Sequence, residues 1–167
     1  AEKFVEPFAR ARAAGLGITV HAGEVVGARS VRNAVEVLGA QRIGHGIHAV
    51  ESSEVVRLLY TRDVALEVCP TSNFQTGAVR GLTLHPLQDL FGLRLKVTIN
   101  TDDPSVSDTT LTDEYLVAVE AIGLPQHWIC QALLNAADAA FAPEEERIKL
   151  KEDFQQILAS CPSPSDQ

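Results

Sequence analysis

With 167 residues, 46% of them hydrophobic, the chain is long enough to bury a core and short enough for a single domain. Its formal charge of −8 argues against a nucleic-acid backbone as partner, because polyanion binding relies on clustered Lys and Arg that do not occur here. No apolar stretch approaches the roughly 20 residues of a bilayer span, and the opening AEKFVEPFAR lacks the basic-then-apolar order of a signal peptide, so the sequence reads as soluble, cytoplasmic and without a membrane partner.

The first predicted element is the amphipathic EPFARARAAGLG, with Pro7 in the opening turn and Gly15 and Gly17 stopping it. Four strand-like runs then follow, at residues 18–24, 42–45, 64–69 and 95–100, each closing on polar or Gly/Pro residues. Helical patterns separate them. Ser30 is read as the cap of VRNAVEVLGA, whose Val31, Val35 and Leu38 share one face; Ser52 or Ser53 opens EVVRLLYTR, and Pro86 opens LQDLFG. Beyond the fourth strand come a helix after Thr112, a second over PQHWICQALLNAADAAF, and a third after Pro143 with an acidic first turn. Residues 161–167 read as a frayed tail.

The alternation is βαβαβαβ. Strands apolar on both faces and separated by helices predict an α/β fold with a parallel, helix-covered sheet, and in such folds functional residues collect at the carboxyl ends of the strands. Those ends carry His21 and Glu24, His45, the turn Cys69-Pro70-Thr71-Ser72-Asn73, and Asp102 with Asp103. Taken singly, each has an ordinary reading. His21 could be a satisfied strand-end histidine, Glu24 a solvated turn residue, His45 a turn histidine between two glycines, and the two aspartates a turn cap. The CPTSN turn is read as structural, His48 as a supporting or surface residue, His85 as a helix cap, His127 as exposed and Trp128 as core. Taken together, imidazoles and carboxylates from several strand ends are the donor set for zinc or another divalent ion with an open coordination position. Cys69, Cys130 and Cys161 are odd in number and lack CxxC spacing, which argues against both a disulfide framework and a thiolate site.

In order, the segments VHAGE, RIGHG, CPTSN and NTDDP followed by TLTDEY resemble the motif set of the adenosine deaminase family, within the amidohydrolase barrel superfamily, over about residues 3–155. The resemblance implies a zinc-dependent hydrolytic deaminase of a 6-aminopurine, adenosine foremost, on a parallel (β/α)₈ barrel. It implies His21 and Asp102 as zinc ligands, Glu24 as proton donor, His45 as base or orienting histidine, and Asp103 as substrate-binding carboxylate. The sequence departs from the family in one respect: no His-x-His pair, the source of two further zinc ligands, occurs in it. The chain therefore looks like strands five to eight only, since a complete barrel needs about 250 residues, and the absence of methionine fits a piece of something longer. On that reading residues 1–160 are the C-terminal portion of a barrel, inactive alone, whose macromolecular partner is the missing N-terminal half or a second copy. Two other readings stand beside it: a metal-dependent hydrolase of a different amine or amide, and a non-catalytic half-barrel that binds a partner. The H-x-E…P-C-x-x-C pattern of the cytidine-deaminase type does not occur.

Overall fold

The computed structural model describes residues 1–160; the predicted tail at 161–167, with Cys161, lies outside the described residues. Helix α1 (Val5–Ala13) leads into four strands, β1 (Thr19–Ala22), β2 (Arg42–His45), β3 (Ala65–Val68) and β4 (Lys96–Ile99). They form one sheet in sequence order, every neighbouring pair parallel. Between them run α2 (Ala28–Glu36), α3 (Ser53–Thr61), then α4 (Pro70–Gln75) and α5 (Leu87–Gly92). After β4 come α6 (Pro104–Ser107), α7 (Leu111–Leu116), a π-helical turn at Val117–Ala121, α8 (Gln126–Ala139) and α9 (Glu144–Ser160). No helix among the described residues is long and apolar enough to cross a membrane.

The register aligns His21, Gly44, Glu67 and Thr98 across the sheet. Because side chains alternate along a strand, the opposite face carries Val20, Ile43, Leu66, Val68, Val97 and Ile99. These residues join Val31 and Val35 of α2, Val55 and Leu59 of α3, and Leu87 and Leu90 of α5 in one continuous core.

Two expectations change. The strands are not apolar on both faces: the face away from α2, α3 and α5 carries Thr19, His21, Arg42, Glu67, Lys96 and Thr98. Mutual pairing makes that polarity tolerable. Thr19 donates to Glu67 at 2.7 Å, Arg42 lies 3.2 Å from Glu67, and Lys96 bridges Asp63 and Asp138. One predicted cap and one helix start also shift. Gly27 caps α2, while Ser30 sits inside its first turn and uses Oγ to accept from the Gly23 N–H at 2.8 Å. The helix expected after Thr112 starts earlier, at Leu111, because Thr110 stands three residues before an acid, Asp113, that closes a capping box. Ser52 does cap α3, accepting from Val55 N–H.

Candidate active site

The carboxyl ends of the four strands meet on one rim. Gly23, with φ +66°, turns the chain directly after β1, and a Cβ there would strike Val31. That turn brings the Glu24 carboxylate over the end of β2, where Oε2 lies 3.4 Å from His45 Nε2 and Oε1 accepts from Thr76 Oγ1 at 3.1 Å. His21, one strand over, is largely exposed. Its ring occupies the space that a side chain at Gly44 would need, since a Cβ on Gly44 would come within 3.0 Å of it. The glycine before His45 thus makes room for another imidazole.

His45 and Asp102 share a feature that sequence inspection misses: both adopt left-handed backbone conformations, with φ of +67° and +59°. Non-glycine residues rarely do so, and such strain, about 1–3 kcal/mol each, gathers at functional sites. The consequence is convergence. His21, His45 and Asp102 each offer one ligand atom, and the three atoms lie within 4.8 Å of one another, the one such group among the described residues. Asp102 Oδ1 is 3.8 Å from His21 Nε2, and Oδ2 is 3.9 Å from His45 Nε2. Asp103 points elsewhere. Its Oδ1 accepts from the Ser105 and Val106 N–H groups and so caps α6, leaving it at the exposed margin of the cluster.

The segment read as structural supports the site directly. CPTSN opens α4, and two side chains on that helix and one on its C-cap reach three different site residues. Ser72 donates to Asp102 Oδ2 at 2.9 Å, Asn73 Nδ2 lies 3.0 Å from His45 Nδ1, and Thr76 holds Glu24. The helix itself is fixed by the fully buried Glu114 of α7, whose carboxylate accepts from Thr71 N–H and Thr109 Oγ1, each at 3.1 Å. His85 is a cap of sorts, taking the Leu87 N–H on Nδ1, but it also reaches Asn73. His48 pairs with Glu51 near the surface, His127 is exposed, and Trp128 stacks on Phe91 against the core.

Burial lowers the His45 pKa, an effect that the Glu24 and Asp102 carboxylates oppose without reversing. Burial pushes the Cys69 thiol well up, with Asp102 and Glu114 adding to the effect, so it remains a neutral thiol bonded to the Glu67 carbonyl and offers no thiolate. A hollow of about 520 Å³ opens in front of His21, Gly44, His45 and Asp102, walled on its far side by Tyr115, Leu133 and Phe154. A slightly larger one, about 590 Å³, lies between α3, α5 and α8 at Phe91 and Trp128. Among the described residues it gathers no cluster of metal-ligating side chains, so the candidate site is the former.

The donor set suits a divalent ion. An imidazole nitrogen from His21 and a carboxylate oxygen from Asp102 are ligand types that zinc takes, and the 3.8 Å between His21 Nε2 and Asp102 Oδ1 approaches the roughly 3.4 Å edge of a tetrahedron with 2.1 Å bonds.

The family described as adenosine deaminase matches residues 1–157. An adenosine deaminase of Vibrio parahaemolyticus is 44% identical over 151 residues, 90% of this chain and 45% of that protein. An adenine deaminase from Arthrobacter aurescens superposes with a TM-score of 0.89 at 31% identity, covering 95% of this chain and 48% of that one. An amidohydrolase from Burkholderia ambifaria with bound Zn does so with a TM-score of 0.84 at 26% identity, over 95% and 46% of the two chains. The chain thus spans a little under half the length of the relatives it matches.

Proposed function

This chain belongs to the adenosine deaminase family, and on that premise we propose that its strand-end cluster forms part of a zinc-dependent site for hydrolytic deamination of a 6-aminopurine, adenosine foremost, in a (β/α)₈ barrel completed by further polypeptide. The observation that carries this is the convergence of Glu24, His45 and the His21/Asp102 pair on one rim.

In this reading His21 and Asp102 hold the ion. Zinc, when bound, supplies a water acidic enough to be deprotonated near neutral pH. The residues of this chain do the rest. Glu24, held by Thr76 and 3.4 Å from His45, donates a proton to ring N1 as the amidine carbon becomes tetrahedral. His45 orients the attacking oxygen, and the exposed Asp103, one residue beyond the ligand Asp102, holds the purine at N7 and fixes the ring. Ammonia leaves and the 6-oxopurine remains. Only two direct ligands are then supplied by this chain, whereas a catalytic zinc normally has three from protein. Completion by another polypeptide follows from that deficit, and a half-barrel that only binds is the reading left if completion fails.

The experiment joins this chain to the remaining portion of the Vibrio parahaemolyticus enzyme and measures ammonia release from adenosine, adenine and an N6-methylated purine. A zinc-loaded chimera should release ammonia from at least one of them and lose that activity with Asp102→Ala. A folded, zinc-loaded chimera silent on all three would overturn the reading.

A further inference from the structure

Behind the rim, three buried side chains stand in a hydrogen-bonded file that the roles assigned above leave unexplained. His45, Asn73 and His85 are 1%, 0% and 5% exposed, so water cannot stand in for a missing partner. Their contacts run from Leu87 N to His85 Nδ1 at 3.1 Å, from His85 Nε2 to Asn73 Oδ1 at 3.2 Å, and from Asn73 Nδ2 to His45 Nδ1 at 3.0 Å. We propose that the Leu87 peptide N–H fixes the proton of His45 on Nε2, acting through His85 and Asn73, which are therefore positioning residues for a neutral imidazole that donates into the site.

The deduction needs only the polarity of one peptide group. A backbone N–H can donate but never accept, so His85 Nδ1 meets it with a lone pair and the His85 proton sits on Nε2. That proton requires an acceptor, which places the amide oxygen of Asn73 toward His85. The NH₂ group of Asn73 then faces His45 Nδ1. An NH₂ group only donates, so Nδ1 carries no proton and the single proton of neutral His45 is on Nε2. Reversing the amide would set donor against donor in a dry interior, which is costly. Protonating His85 on both nitrogens would oppose the Leu87 N–H, and burial holds that imidazole's pKa down to about 4.

Two consequences bear on the site. His45 Nε2 lies 3.4 Å from Glu24 Oε2 and 3.9 Å from Asp102 Oδ2, so its proton sits on the side of the imidazole that faces the two carboxylates. A protonated nitrogen has no lone pair for a metal, so of the three clustered residues His45 is the one that does not ligate, leaving His21 and Asp102. Equally, Nε2 cannot accept a proton, so His45 orients an oxygen as a donor and does not act as the base. This last step alone rests on the deaminase reading.

The test is the tautomer itself, read in the 167-residue chain with ¹⁵N-labelled histidine, whose five imidazoles are few enough to assign. Long-range ¹H–¹⁵N correlations, or magic-angle-spinning spectra if the chain self-associates, should show His45 and His85 both protonated on Nε2 and bare on Nδ1 at neutral pH. Asn73→Asp puts an acceptor where the NH₂ group stood, and His45 Nδ1 should then gain a proton while His85 keeps its own on Nε2. A purely structural Asn73 would not move the proton. Wild-type His45 protonated on Nδ1 would overturn the proposal, as would a folded Asn73→Asp protein with Nδ1 still bare. Should that variant not fold, the wild-type spectrum decides by itself. No metal or substrate enters the measurement, so its outcome and that of the ammonia assay are separable.

Discussion

His21 Nε2 stands 3.8 Å from Asp102 Oδ1, too far for a hydrogen bond and close to the ligand-to-ligand distance across a zinc tetrahedron. The other carboxylate oxygen of Asp102 is already taken by Ser72 Oγ, so Oδ1 is the one left free to ligate. Removing the ligand and removing its support should therefore differ in degree. In the completed chimera Asp102→Ala should abolish stoichiometric zinc, whereas Ser72→Ala should weaken it by about 10–100-fold, the usual effect of losing a hydrogen bond that orients a ligand. Competition against a chromophoric chelator measures both; unchanged zinc affinity in Asp102→Ala would remove that residue from the metal site.

Glu24 makes a different prediction, because its carboxylate faces His45 and Thr76 rather than the His21/Asp102 pair. Glu24→Gln keeps the shape and the Thr76 contact but cannot donate an acidic proton. Turnover in the chimera should fall by about 10²–10⁴-fold with zinc content unchanged. Near-normal kcat in a zinc-loaded Glu24→Gln protein would take Glu24 out of the mechanism.

The βαβ alternation, the parallel order and the residues of the rim were legible in the sequence because apolar period and strand-end chemistry are local signals. What was not legible depends on the third dimension. The polar inner face looked apolar because Val20, Ile43 and Leu66 alternate with it and dominate the pattern, and nothing local reveals that Thr19, Arg42 and Glu67 will face one another. CPTSN read as a structural turn and not as a helix, because Pro70–Gln75 is too brief for a periodic signal. Its polar residues at 72, 73 and 76 were the available hint, since one helical face was being spent on hydrogen bonds. Glu114 gave no hint: a buried carboxylate satisfied by Thr71 and Thr109 looks like any acid in the first turn of a helix.

His85 should give the fold a measurable acid sensitivity. Its pKa falls from 6.5 when solvated to about 4 in the folded chain because burial disfavours the imidazolium. The folded state thus binds fewer protons than the unfolded state between those values, and stability rises with pH across that window. The contribution is complete above pH 6.5 and lost as pH falls through 4, amounting to roughly 3 kcal/mol at about 1.4 kcal/mol per unit. Urea denaturation of the wild-type chain and of His85→Gln from pH 7.5 to 4.5 isolates the effect, since Gln does not titrate there. Parallel pH dependences in the two proteins would show that His85 carries no such linkage.

Expressed as these 167 residues alone, the chain should bind zinc weakly, release no ammonia from adenosine, and associate with itself or aggregate. The first reason is that the proposed site draws only two direct ligands from this chain where three are usual. The second is an open sheet edge. In a parallel ladder alternate residues bond to each side. The Gly46 N–H bonds to Ala22 O, so the peptide groups of Thr19 and His21 face away from β2, with no neighbouring strand among the described residues. The opposite edge is partly protected, since Asn135 of α8 donates from Nδ2 to the Val97 carbonyl at 2.8 Å. Exposure at the β1 end is also apolar: Val25 and Val26 in the loop that follows are 82% and 63% exposed. An unpaired edge beside exposed valines favours intermolecular pairing. Analytical ultracentrifugation, metal analysis and ammonia assay of the isolated chain should therefore show oligomers, substoichiometric zinc and no turnover, and supplying the remaining barrel segment should restore a discrete species. A stable monomer holding stoichiometric zinc and deaminating adenosine would mean that ligands other than His21 and Asp102 complete the site within this chain.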